Sequence, residues 1–107
     1  MSETALTALG VVRAKPGQER ELGRRMAALL DPTRAEPGCI AYDLFQSTED
    51  PAVWVLLERW RSAADLDAHV VTDHFAGFLA RSDEVLDRPP DNFRLRRWPP
   101  DDLRVVS

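Results

Sequence analysis

The segment DAHVVTDHF, Asp67 to Phe75, holds both histidines of the chain, His69 and His74. Imidazole is the side chain whose ordinary titration falls near neutral pH. Two of them so close together fit a metal site, an acid/base pair, or two packed structural residues. Zinc-binding helices place histidines four apart, on one face. Five apart on a continuous helix puts them roughly 140° apart. The chain has no third histidine and one cysteine, Cys39, so the spacing argues against a metal. A histidine beside an apolar stripe is ordinarily packed and hydrogen bonded, and that is the plain reading of each. His69 lies one helical step from the Leu66/Val70 stripe, so its ring is expected to face a cavity between helix and sheet. His74 is expected to follow a capping residue, Asp73, and mainly to fix the start of a second helical segment. A helix N-terminus disfavours positive charge there. A neutral imidazole donates from one nitrogen and accepts at the other, which suits orienting a phenol or enol.

Other constellations are weaker. No serine stands in a nucleophile elbow, and no glycine-rich loop is built for phosphate. Cys39 follows a turn and is expected to pack as a small apolar residue. Trp54, Glu58 and Trp60 share one face of a strand by alternation, either as core or as the aromatic wall of a pocket. FRLRRW puts Arg94 and Arg96 on one strand face and Arg97 on the other, a solvated edge or a contact for an anionic substrate.

The elements that must position these residues follow from periodicity. Thr4 to Val12 is a run of small and β-branched residues and reads as a strand. Pro16 suits a first helical turn, and Leu22, Met26, Leu29 and Leu30 recur at helical spacing. Pro32 should end or kink that helix, and Glu36 to Gly38, EPG, is a turn. Ile40 to Ser47 and Val53 to Trp60 read as strands, joined by a tight loop as an antiparallel hairpin. Ser62 with Asp65 resembles a capping box. Phe75, Phe78, Leu79, Ser82 and Leu86 form the stripe of the segment after Asp73. DRPPDN stops it, and Phe93 to Trp98 is the last strand.

The order is β-α-β-β-α-β, the α+β ferredoxin-like motif. At 107 residues the chain is expected to be a single domain with one core, about residues 4–98, and a polar tail, 99–107. Val53 to Leu57 are five apolar residues in succession, whereas a sheet with one wet face should alternate. Two helical regions cover one face only. The spacing of apolar residues therefore predicts a homodimer that covers the other.

Bulk composition excludes several classes. Net charge is −4, which gives no electrostatic case for nucleic acid or an anionic membrane. No apolar run approaches the roughly 20 residues of a membrane helix. The start MSETALTALG lacks the pattern of a signal peptide, and one cysteine forms no internal disulfide framework. A cytoplasmic protein is expected.

Three segments together resemble the antibiotic biosynthesis monooxygenase family, including the bacterial quinol monooxygenases: AKPGQERELGRRMAALL, RAEPGCIAYDLF and VLLERWRSAADLDAHVVTDHFAGF. The likeness covers roughly Thr4 to Trp98. It implies a dimeric ferredoxin-like α/β barrel, and a first helix that runs through Pro32 with a kink. Many such proteins oxidise electron-rich phenols, anthrones or quinols with molecular oxygen and use no metal or flavin. A haem-degrading branch uses an Asn, a Trp and a His. This chain departs from it at His69, where that Trp would fall, and near Leu79, where that His would fall.

The resemblance implies a cofactor-free monooxygenase, whose partners are a small aromatic substrate, O₂ and a second copy of the chain. On that reading His69 or His74 takes the substrate proton, Trp54, Trp60, Phe75 and Phe78 line the ring-binding pocket, and Tyr42 or Arg94 binds the oxyanion. The alternatives are a non-catalytic ligand-binding barrel and a cofactor-free isomerase or cyclase on the same fold.

Overall fold

A computed structural model describes residues 5–99. Thr4 and the tail from residue 100 lie outside the described residues. The elements run β1 (Leu6–Arg13), α1 (Glu19–Ala27), α2 (Leu30–Arg34), β2 (Cys39–Gln46), β3 (Val53–Trp60), α3 (Ala63–His69), α4 (Asp73–Ala80), a 3₁₀ turn (Ser82–Glu84) and β4 (Asp91–Leu95). The four strands form one antiparallel sheet in the order β2-β3-β1-β4. This is the ferredoxin-like α+β fold expected from the element order.

Local chemistry explains the boundaries, and some differ from expectation. Lys15 to Gln18 is a tight turn closed by the Gln18 N–H on the Lys15 carbonyl, 2.9 Å. Gly17 occupies its left-handed position at φ 86°, so Pro16 shapes the turn rather than the helix. The first helix breaks at Ala28–Leu29, ahead of Pro32, and resumes as α2. Pro32 has no N–H for the carbonyl of Ala28, four residues back, and its ring crowds that carbonyl. The interruption thus falls one turn before its cause. Ser62 caps α3 as expected, its Oγ accepting the Asp65 N–H at 3.2 Å. The cap of α4 is Thr72, not Asp73: Thr72 Oγ1 accepts the Phe75 N–H at 3.4 Å.

The last strand is shifted from its expected place. It starts at Asp91, paired with Val11, and ends at Leu95, paired with Thr7. Arg96 and Arg97 therefore lie beyond it, and Arg94 alone of the three arginines is a strand residue.

Alternation sorts the sheet into two faces. Ala8, Val12, Tyr42, Leu56 and Trp60 point to the helices and are buried, meeting Leu22, Met26 and Leu66 in one core. The opposite face carries Leu9, Val11, Val55 and Leu57, with Phe45 and Phe93 at its flanks. Phe45 is 53% exposed and Phe93 47%. Among the described residues, nothing covers this face.

Candidate active site

His69 closes α3 and lies 1% exposed. Its Nδ1–H donates to Glu36 Oε2 at 2.7 Å. His74, in the first turn of α4, donates from Nε2 to the same oxygen at 2.8 Å. The two rings sit 5.9 Å apart. The expectation of divergent rings fails because the helix is not continuous. It breaks at Val70–Thr72, where the Thr72 N–H and hydroxyl both donate to the His69 carbonyl, at 3.1 and 2.7 Å. That turn swings His74 back toward Glu36.

Backbone hydrogen bonds hold the Glu36 loop, while the two imidazoles hold its carboxylate. Its loop follows α2, with the Glu36 N–H on the Thr33 carbonyl and the Cys39 N–H on the Glu36 carbonyl. Gly38 then packs against the start of α3: an added Cβ would stand 2.2 Å from Asp65 Cγ. The Arg61 N–H closes the contact on the Gly38 carbonyl at 2.8 Å. A glycine is required here for close approach, and that approach fixes Glu36 against His69.

Glu36, His69 and His74 each offer a donor atom within 4.8 Å of the others. The set is capable of holding a metal ion, which corrects the argument from helical spacing. Metal-bound imidazoles almost always donate the other ring N–H to an acceptor. His69 Nε2 is buried with no partner among the described residues. The arrangement is better matched by a carboxylate that fixes the Nδ1–H tautomer and leaves Nε2 free as a base.

A cavity of about 360 Å³ lies between the sheet and α3–α4. Met26, Leu66, Phe75 and Phe78 give it apolar walls, His69 and Glu58 are its buried polar groups, and Asn92 and Arg94 border it from β4. The cavity thus brings together His69, Phe75, Phe78 and Arg94 of the expected set. Arg94 is engaged by Asp67 at 2.7 Å.

The other expected site residues fall elsewhere. Trp60 and Tyr42 are fully buried and back the His69 ring instead of lining the cavity. Their rings lie 4.9 and 5.5 Å from it. Burial, with Glu58 and Glu36 nearby, pushes the Tyr42 phenol well above its ordinary range, so it stays neutral. Trp54 packs its indole on Gly23 of α1, away from the cavity. His74 lines a separate groove with Arg24, Arg25 and Arg81. Cys39 is half-buried and its thiol is raised by burial, which fits packing and not nucleophilic attack.

Two carboxylates went unassigned in the sequence. Glu36 carries no local signal beyond its turn. Glu58 does carry one, because it sits on the buried parity of β3 between Leu56 and Trp60. It is 8% exposed. Its Oε1 accepts the Trp60 Nε1–H at 2.9 Å. Burial raises its carboxyl above the ordinary range, against the lowering effects of Trp60 and His69.

Residues 5–81 match the family model of antibiotic biosynthesis monooxygenase. YcnE of Bacillus subtilis, provisionally named a monooxygenase, is 35% identical over 83 residues, which are 78% of this chain and 87% of that one. Rv0793 of Mycobacterium tuberculosis, named in the same provisional way, is 40% identical over 75 residues, 70% and 73% of the two chains. The match to a Synechocystis protein, sll1783, spans 61% of that protein's length. Among solved structures, PA3566 from Pseudomonas aeruginosa superposes with a TM-score of 0.85 at 35% identity, over 91% of this chain and 97% of that one.

Proposed function

The chain belongs to the antibiotic biosynthesis monooxygenase family, and from that membership we propose that it oxidises an electron-rich phenolic, quinol or anthrone-type substrate with O₂, without a cofactor. The observation that carries the reading is the His69–Glu36 pair beside the apolar cavity. Glu36 accepts the hydrogen bond of the Nδ1–H, so the lone pair of the ring is at Nε2. That nitrogen is buried and, among the described residues, has no partner, which suits a base awaiting a substrate proton.

Such substrates resist oxygen until deprotonated. The anion passes one electron to O₂, the two radicals combine, the peroxide anion takes back the proton that His69 holds, and the hydroperoxide loses water to give the oxidised ring. The protein's part is to bind a flat ring against Phe75 and Phe78, take its proton at His69 and hold water out. Arg94, on the cavity border, would reach the oxyanion by leaving Asp67. His74 ties α4 to the Glu36 loop, which keeps the base in place without touching substrate.

A second copy is part of the proposal. The bare apolar face around Leu9, Val55 and Leu57 exceeds what isolated surface residues explain, and a two-fold partner is its simplest cover. The test is oxygen consumption by the purified protein with a panel of hydroquinones, naphthols and anthrones. Turnover of one class under air that stops without O₂ supports the reading. Turnover that continues without O₂ favours the isomerase alternative.

A further inference from the structure

Glu58 is the one charged-type side chain on the buried parity of β3, between Leu56 and Trp60. Among the described residues it has no ion-pair partner. Its Oε1 is occupied by the Trp60 Nε1–H, 2.9 Å away. The residue borders the same cavity as His69. A buried carboxyl without a cation costs stability that a leucine at this position would not.

We propose that Glu58 is the acid partner of the His69 base, and that the two together enolise a carbonyl-bearing substrate before oxygen reacts. The idea rests on the proposed reading and narrows its substrate class to aryl ketones with an acidic C–H, of which an anthrone is the simplest. The C–H bond breaks and its proton goes to His69 Nε2. The electron pair forms the new C=C bond, and the carbonyl oxygen becomes a hydroxyl by taking the Glu58 proton. Glu58 is left as a carboxylate and His69 as an imidazolium, so charge balances and no oxidant is needed. The Glu58 carboxylate then takes the hydroxyl proton back, and the enolate so formed is the anion that reduces O₂.

The surroundings suit a carboxyl that keeps its proton. Burial is the largest influence and favours the neutral acid. Glu36, on the loop before β2, acts in the same direction, while the Trp60 N–H and the His69 ring oppose it. Tyr42 stands opposite Glu58 in the β2–β3 register and is neutral. Arg94, facing the cavity from β4, has its guanidinium on Asp67. The acid and the base thus belong to different elements, β3 and α3, on one cavity.

The test is deuterium uptake by anthrone in D₂O under nitrogen, measured above the buffer rate. The wild-type protein is expected to accelerate exchange at the CH₂ position. Glu58→Gln keeps an acceptor for Trp60 but cannot give up a proton, and is expected to lower the exchange rate about 10²-fold. Exchange without any oxygen uptake under air would sink the oxygenase reading and leave the acid–base pair standing. Unaltered exchange in Glu58→Gln, or no exchange by an enzyme that consumes O₂ with hydroquinones, would overturn the pair and spare that reading. Infrared spectra of the unsubstituted protein provide a substrate-free check. A protonated-carboxyl band is expected at a pH where exposed glutamates, ordinarily near 4.3, are ionised, and its absence would overturn the proposal.

Discussion

Nδ1 of His69 and Oε2 of Glu36 lie 2.7 Å apart, one at the end of α3 and the other on the loop before β2. That contact sets which ring nitrogen is free. Replacing Glu36 by Gln leaves the shape but lets the amide turn either group toward the imidazole, so the tautomer is no longer fixed. Glu36→Gln is expected to reduce kcat on the order of 10²-fold or more, the direction seen when the carboxylate of a hydrolase triad is amidated. Steady-state oxygen consumption checks this, alongside a thermal melt to show that the fold survives.

Gly38 supports the same contact from a distance. A Cβ there would meet the Asp65 side chain at 2.2 Å, far inside van der Waals contact. Gly38→Ala is expected to push the loop off α3 and destabilise the protein by about 1–3 kcal/mol, the usual range for overpacking. The rate should fall as well, because Glu36 moves with the loop. Urea unfolding and kcat measured together test the coupling. A destabilised variant with unchanged kcat would separate the loop from the base.

Glu58 ties stability to pH in a stated direction. Its folded-state carboxyl is raised by burial. Above the ordinary glutamate range the unfolded chain has lost that proton while the folded chain still holds it. Folding therefore loses stability as pH rises from the unfolded value to the folded one. Glu58→Gln removes this loss. Its melting temperature is expected to match wild type near pH 4 and exceed it near pH 8, as read from melts across that range.

The exposed sheet face gives a test of assembly. Leu57, 40% exposed, stands near the middle of that face, paired with Leu9 and Asp43. Leu57→Asp is expected to lower the mass by light scattering from twice that of the chain to one chain, or to unfold the protein. A wild-type monomer at micromolar concentration would contradict the proposed dimer.

Much of this fold is legible in the residues. The strand Val53 to Trp60 is where its apolar run places it, and Ser62 caps α3 through the pattern it shows with Asp65. Boundaries set by tertiary pairing are not. Asp91 and Asn92 have poor strand propensity, yet they pair with Val11 and Gly10 because β1 offers an open edge. The site was half visible. His69 and its cavity follow from helical periodicity. The convergence of His74 on Glu36 depends on a break at Val70–Thr72 that has no glycine or proline to announce it. Trp60 and Tyr42 were legible as aromatic but not as the backing of a base, since alternation says which face a residue takes and not how deep it lies. The Pro32 effect reached back to Ala28, a consequence of the i−4 hydrogen bond rather than of the proline's own position.

The central claim is that His69 is the base. The direct measurement is the pH dependence of oxygen consumption by wild type and His69→Ala with one substrate that the protein turns over. The expected result is a loss in kcat of about 10²-fold or more near neutral pH, shrinking as pH approaches the substrate's own phenol pKa, where the anion forms unaided. The variant is expected to melt below wild type, because the His69 ring is buried against Trp60 and Phe75, so kcat is compared well below the melting range of both proteins. A His69→Ala protein with wild-type kcat at every pH would contradict the claim and leave His69 as a packing residue.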